Sequence, residues 1–186
     1  EACAGWMRAV EVADSLFRAG RYRNAIILGV EAGLQDALVP PDPTVEYGEE
    51  HLAGFTLGEA ATAMVVSASD APAPEIVLKS DGSALDACML PLPAIAAFTG
   101  PGQAPEPGRF LSHAVRLFTR VGQELYGVMK QRLAQRGHAE FDLFILHAAS
   151  DRAGEVLRRA LGIPAAKWLC THADFGNNVA MSMPVA

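Results

Sequence analysis

Three absences limit this chain before any motif is sought. It has only three cysteines in 186 residues, at positions 3, 88 and 170, too few and too scattered for a disulfide framework. That scarcity is the pattern of a reducing compartment, and the expected location is cytoplasmic. No apolar run reaches the roughly 18 residues that span a bilayer, and no basic segment precedes one, so membrane insertion is not expected. Excess positive charge is also missing: 15 Lys and Arg against 21 Asp and Glu give a net charge of −6. With no basic patch or run, nucleic acid is not an expected partner. Arg18, Arg21 and Arg23 read as a solvated helix end that complements the helix dipole.

What is present is apolar. Hydrophobic residues make up 51% of the chain and mean hydropathy is +0.18, enough for a sizeable core. Trp6, Ala9, Val10, Ala13, Leu16 and Phe17 recur at helical spacing, and Gly20 is placed to end that helix. Asn24 to Val30 is nearly all apolar and suits a strand buried on both faces. Residues 36–56 lose periodicity and carry Pro40, Pro41, Pro43, Gly48 and Gly54, the mark of a long loop. Gly58 to Ser69 reads as a second buried strand, Ala71 to Pro74 as a joint, Glu75 to Ser80 as a strand, and Asp81-Gly82 as a turn.

Residues 91–108 hold five prolines and three glycines and read as an irregular loop. A long helix follows over about 109–136, with Leu111, Val115, Phe118, Val121, Leu125, Val128 and Met129 inward and Gly137 at its end. Phe141 to Leu146 is a strand ending on His147, and Ser150 caps a helix to Leu161 with Val156, Leu157 and Ala160 inward. Lys167 to Thr171 is a strand, and Gly176-Asn177-Asn178 turns it into a last helical stretch. Alternating helices and buried strands define an α/β fold. The joint suggests two parts, residues 1–70 and 75–186.

Reacting groups in α/β sheets gather beyond the carboxyl ends of strands and at helix starts. Three residues stand at such places: Cys3 ahead of the first helix, His147 after a strand, and Asn177 after another. A helix N-terminus favours thiolate over thiol, and Ala2, Ala4 and Gly5 leave room for close approach. Together the three would supply a nucleophile, a proton-exchanging or donating group and a neutral donor. Each also has a plain structural reading, as a small buried residue, a satisfied histidine and a left-handed turn, and spacing alone does not choose.

The segments Glu1-Ala2-Cys3-Ala4-Gly5-Trp6, His147-Ala148-Ala149-Ser150 and Gly176-Asn177-Asn178, in that order, resemble the ketoacyl-ACP synthase III family. That family carries an Ala-Cys-Ala-Gly-aromatic segment, a His-Gln-Ala-Asn segment and a Gly-Asn-Thr segment. Phe55 to Val66 is similar to its Phe-Gly-Asp-Gly-Ala-Gly-Ala strand. The resemblance implies a thiolase-like fold, layered α-β-α-β-α in two similar halves. This chain covers the end of the first half and most of the second, as an internal piece.

It also implies that Cys3 takes an acyl group from a thioester. His147 and Asn177 then hold the enolate left when a malonyl thioester loses CO2. Arg152, Phe175 and Asn178 fall at substrate-facing positions, with Arg152 near the mouth used by the carrier protein. Acyl-CoA and an acyl carrier protein are the implied partners, no separate cofactor is required, and a homodimer or heteromer is expected.

Departures from the pattern, Ala148, Ser150 and Asn178, leave the second substrate open between a malonyl thioester and an alcohol or amine. A catalytically idle subunit supporting a synthase is the non-enzyme reading. A papain-like protease shares the order Cys, His, Asn, but its local Cys-Gly-Ser/Ala-Cys-Trp/Tyr signature is missing. Cys170, His172, Asp174 and Cys3 do not match a standard zinc spacing. Cys88 reads as a core residue, and His51, His113 and His138 receive no role.

Overall fold

The first helix, α1 (Gly5–Arg18), forms along the apolar stripe that the spacing marks. It stops at Gly20, whose φ of +67° lets the chain turn back. The amides of Gly20 and Arg21 then close onto the carbonyls of Phe17 (2.9 Å) and Leu16 (3.1 Å). The computed structural model describes residues 2–32, 44, 46, 48–72, 74–90, 110–147 and 149–186. The Pro-rich stretches expected as loops, much of 36–56 and nearly all of 91–108, lie largely outside the described residues.

Strand β1 (Asn24–Glu31) pairs antiparallel with β2 (Ala60–Ser67), Ile27 standing opposite Met64. The expectation of burial on both faces is corrected. Side chains alternate across a strand, and Ala25, Ile27, Gly29 and Glu31 lie on the covered face. Ile26, Leu28 and Val30 on the other face are 65%, 73% and 67% exposed, so this chain covers one side of an apolar sheet. On the covered side Gly29 admits Met181: a Cβ there would fall 2.2 Å from the methionine sulfur. Thr62 Oγ1 donates to the same sulfur at 3.1 Å.

The loop between these strands contains a short helix, α2 (Glu49–Leu52), running into a 3-10 turn, Ala53–Thr56. No strand forms over 75–80, contrary to the reading from composition. That segment has no ladder partner among the described residues. It lies along the long helix through exposed ion pairs, Lys79 with Glu124 at 2.6 Å and Glu75 with Arg132. Asp81 then accepts from the Ser83 amide (3.1 Å) and starts a 3-10 stretch, Gly82–Ala87.

The long helix, α3 (Ala114–Arg136), begins later than expected. Leu111 and Ser112 are drawn into a short strand β4, paired with β3 (Cys88–Met89), and the Glu49 carboxylate accepts from the Val115 amide at 3.4 Å. The inward stripe is narrower as well. Val115 (68%) and Val121 (52%) are exposed, while Leu125, Val128 and Met129 are half-buried. Gly137 ends the helix at φ +79°.

Strands β5 (Phe144–Ile145) and β6 (Trp168–Leu169) pair in parallel and are shorter than the sequence suggests. Between them α4 (Asp151–Ala160) starts on the expected cap, Ser150, whose Oγ accepts from the Ala153 amide at 3.3 Å. Its inward face differs from expectation. Val156 is 63% exposed and Ala160 is exposed, and Gly154 is the buried position because Leu146 packs against it. Leu133, Leu161 and Ile163 form the core here, with Met129, Phe144, Leu157 and Trp168 packed around them.

The chain ends in two single-turn helices, α5 (His172–Phe175) and α6 (Ser182–Val185), joined through a 3-10 turn, Val179–Met181. Between α5 and that turn the backbone crosses to the other end of the sequence. Asn177 donates its amide to Thr56 O (2.7 Å) and accepts from the Gly58 amide (3.0 Å). Gly176 takes φ +71°, ψ −162°, a region open almost only to glycine, and a Cβ there would sit 2.6 Å from Thr56 O.

Gly176→Ala should therefore cost about 2–3 kcal/mol in chemical denaturation. Gly122→Ala, on α3 with open space around its Cβ position, should instead be neutral or gain up to about 1 kcal/mol.

Candidate active site

Each of the three residues singled out from sequence stands at the end of an element. Cys3 lies two residues ahead of α1, and the next residues bring that helix start against the Asn177 turn: a Cβ on Gly5 would sit 3.6 Å from the Ala180 Cβ. Small residues at both positions are what allow the approach. His147 follows β5, where the Leu146 amide donates to Leu169 O (3.1 Å) and fixes the strand end beside β6. Beyond the end of β6 come His172 and then Asn177, so the parallel ladder delivers His147 and the Asn177 segment to the same edge.

Cys3 is not the thiolate expected from its helix start. Its thiol is pushed up to about 11, first by desolvation, then by Cys88 and by the Glu31 carboxylate nearby; its own backbone N–H works the other way and does not prevail. Cys3 is exposed as a residue, while the protein around its thiol still desolvates it. Cys88 is half-buried, so it shares that neighbourhood rather than a sealed core.

Burial, followed by the charge of His172, holds the His147 imidazole below its ordinary value, so it is neutral at pH 7. Its Nδ1 is buried without a hydrogen-bond partner. His172 Nδ1 lies 3.0 Å from Asp151 Oδ2, the first residue of α4, and its own Nε2 is buried and unpartnered. The Cys170 thiol donates to the other carboxylate oxygen at 3.4 Å. Thr171 Oγ1, Asn178 Oδ1 and Ser182 Oγ add three more buried polar atoms without partners. Buried polar groups are normally paired, so each of these atoms retains hydrogen-bonding capacity.

The asparagine is held by its own turn. Asn177 is 8% exposed and its Oδ1 accepts from the Val179 amide at 3.0 Å. Val179 reaches that amide geometry with φ +50°, an unusual conformation for a β-branched residue. The carbonyl end being occupied, the Asn177 NH2 is the end left to donate. Asn178 is 1% exposed and its Nδ2 donates to Phe175 O (3.1 Å), so its visible work is to hold the turn from inside. Phe175 is 56% exposed. Arg152 is exposed on the first turn of α4 and makes no hydrogen bond or ion pair among the described residues. Arg158 and Arg159, by contrast, are both tied to Glu155.

The structure thus joins Cys3 to the Asn177 turn through Gly5 and Ala180, and His147 to that same segment through His172. Asp151, His172 and Glu31 were not recognised from the sequence as parts of the site. The available signal was positional: His172 follows one parallel strand as His147 follows the other, and Glu31 closes β1 on its covered face. Among the described residues no group of three His, Cys, Asp or Glu side chains is placed to hold a metal. No described helix is long and apolar enough to cross a membrane.

Residues 1–82 match the family model described as 3-oxoacyl-[acyl-carrier-protein (ACP)] synthase III. The chain is 28% identical, over 99% of its length, to a beta-ketoacyl-[acyl-carrier-protein] synthase III of Neisseria meningitidis, of which it covers 54%. It is 29% identical over its whole length to the protein of that name from Thermosynechococcus vestitus, covering 55%. The chain spans about half the length of the curated relatives it matches.

Among solved structures, a 3-oxoacyl-(acyl-carrier-protein) synthase III superposes with a TM-score of 0.78 at 19% identity, over all of this chain and 57% of the other. OleA of Xanthomonas campestris, with lauric acid and lauroyl-CoA bound, gives 0.74 at 23% identity over 100% and 54%. The fold is therefore the α/β thiolase-like fold. The match to the synthase III family model lies on residues 1–82, the part that carries Cys3.

A histidine held below its ordinary value makes folding pH-dependent. Unfolded imidazole titrates near 6.5 and binds protons first as pH falls, so stability declines as pH drops through about 6.5 toward the lower folded value. His172→Asn should move the His147 midpoint upward without restoring it fully, because burial remains. Histidine NMR titration reads this directly, and an unmoved midpoint would show that His172 exerts no charge on His147.

Proposed function

We propose that this chain is part of a thiolase-fold acyltransferase that works through an acyl-Cys3 thioester. The supporting observation is the packing of the Cys3 helix start on the Asn177 turn at Gly5 and Ala180, with His147 delivered to the same edge. Its curated relatives carry the name beta-ketoacyl-[acyl-carrier-protein] synthase III.

In the first step the Cys3 sulfur attacks the carbonyl of an acyl thioester. A carbon–sulfur bond forms to Cys3, the bond to the donor thiol breaks, and the Cys3 proton ends on the departing thiol. A thiol pushed up to about 11 is a poor nucleophile at rest. The reaction remains feasible because a thioester has a good leaving group and because bound substrate displaces water and supplies the reacting carbonyl at close range. In the second step a malonyl thioester loses CO2. His147, neutral at pH 7, and the free NH2 of Asn177 would both donate to the thioester oxygen and hold the enolate. The enolate carbon attacks acyl-Cys3, the sulfur leaves as thiolate and takes up a proton, and a 3-oxoacyl thioester is released. Donors aimed at charge that develops in the transition state are worth about 3–4 kcal/mol each.

Exposed Arg152 would meet an acidic carrier protein, and Phe175 would border the substrate entrance. The two parts at 1–70 and 75–186 would each contribute to the site, Cys3 from one, His147 and Asn177 from the other. A second reading, a catalytically idle subunit in a synthase heteromer, is favoured by one observation, the raised Cys3 thiol.

Intact mass after incubation with a panel of acyl-CoAs decides between them. The acyltransferase reading expects one acyl-sized increment, absent from Cys3→Ala, with the preferred chain length reporting the pocket. No increment from the protein in its natural assembly would favour the idle subunit. Addition of malonyl-CoA should then discharge the acyl group, at least tenfold more slowly in Asn177→Ala.

A further inference from the structure

Glu31 has no part in the chemistry above, yet it meets both sides of the site. It is the last residue of β1 and faces the covered side of the sheet in the register of Ile27 and Gly29. Its Oε1 accepts from the Ala180 amide at 3.3 Å. Ala180 is the second residue of the 3-10 turn that follows Asn177, and the first amides of any helical turn have no partner within it. A carboxylate at that place satisfies one such donor and complements the positive end of the turn. The preceding amide, Val179 N–H, is the one that holds Asn177 Oδ1. Glu31 therefore grips the turn one residue beyond the bond that orients Asn177.

The same carboxylate also acts electrostatically on Cys3. Among the titratable groups acting on the thiol, Cys88 on β3 and Glu31 on β1 oppose ionisation, and the amino-terminal charge works the other way. Ala180 and Gly5 are in contact at the point where α1 meets the turn. An acidic side chain bonded to Ala180 thus stands at the junction of the nucleophile helix and the asparagine turn.

We propose that Glu31 is the positioning residue of this site, its carboxylate anchoring the Asn177–Ala180 turn against β1 while placing a negative charge at the junction with the start of the Cys3 helix. The two roles separate chemically. Glutamine keeps an acceptor oxygen for Ala180 and loses the charge, whereas alanine loses both. The assignment rests on the acyl-Cys3 reading only for the purpose it gives to the site, and its test requires no acyl donor.

The test is the pH–rate profile of Cys3 alkylation by iodoacetamide, followed by peptide mass so that Cys3 is read apart from Cys88 and Cys170. It is paired with amide hydrogen exchange over residues 177–183. In Glu31→Gln the alkylation midpoint should move down, raising the thiolate fraction at neutral pH about fivefold. A less basic thiolate is a weaker nucleophile, so the observed rate should rise about two- to threefold. Exchange over 177–183 should stay near that of the unaltered protein. In Glu31→Ala the midpoint should move down equally and exchange at Ala180 should accelerate at least tenfold.

A Cys3 midpoint unmoved in Glu31→Gln overturns the charge role, and unchanged Ala180 exchange in Glu31→Ala overturns the anchor. If Glu31→Ala does not fold, the anchor is tested by Glu31→Asp, whose shorter side chain should speed Ala180 exchange while leaving the alkylation midpoint close to the original. Failure of the acyl-Cys3 reading would appear separately, as an unaltered protein that accepts no acyl group while its alkylation profile still responds to Glu31.

Discussion

The structure depends on one backbone junction. Asn177 donates to Thr56 and accepts from Gly58, so a residue near the end of the chain is built into the segment that leads to β2. Two glycines make this possible. A Cβ on Gly58 would stand 2.2 Å from Phe175 O, and one on Gly176 2.6 Å from Thr56 O. Neither neighbour is a flexible side chain that could swing away, because both are carbonyls fixed in turns. Everything at the site follows from this crossing. It sets the asparagine against the sheet that carries Glu31, places Ala180 beneath the start of α1, and leaves His172 on the strand edge next to His147.

How much of this was legible in the sequence depended on whether the cause was local. Gly20, Gly137 and Ser150 were readable because a helix end is determined by the residue that occupies it. A glycine at positive φ or a serine accepting an amide needs no distant partner. Apolar continuity in Asn24–Val30 gave the strand but not its environment, since burial on two faces needs two covering layers and this chain brings one. The strand expected at 75–80 failed for the same kind of reason, because a strand exists only with a ladder partner. The spacing of Leu111 fits the helix; its pairing with Met89, more than twenty residues earlier, leaves no trace in that spacing. In the site, His147 and Asn177 were legible by position and by resemblance. The Asp151–His172 pair and the Glu31–Ala180 bond were not, because each joins residues far apart in sequence with no motif between them.

Electrostatics separates the site from the rival chemistries raised by the order Cys, His, Asn. A protease of the papain kind works with a thiolate and an imidazolium, each stabilising the charge of the other. Here burial drives both groups toward neutrality, the thiol upward and the imidazole downward, and no opposite charge beside either reverses it. Cys3 has Cys88 and Glu31 for company, and His147 has His172, so the local charges reinforce desolvation. Such a site would be slow to attack an amide, whose leaving group needs a proton from an acid already in place. It would be better matched to thioesters, whose leaving thiolate is stable by itself. A neutral imidazole N–H and a carboxamide NH2 also suit an enolate, because both donate without first giving up a proton.

The same argument gives the polar cluster around His147 its meaning. Burial first, and then the neighbouring His172 held by the Asp151 carboxylate, keep His147 below its ordinary value. Glu31 would act in the mirror sense on Cys3. Glu31 and His172 would thereby add to the desolvation that keeps the two reacting groups neutral. Neither side chain is left unpartnered, because Glu31 is bonded to Ala180 and His172 to Asp151. In this arrangement the turn that carries Asn177 is more than a support for one donor: the Val179 amide holds the asparagine, and the next amide, of Ala180, holds the carboxylate whose charge adds to the desolvation of the thiol.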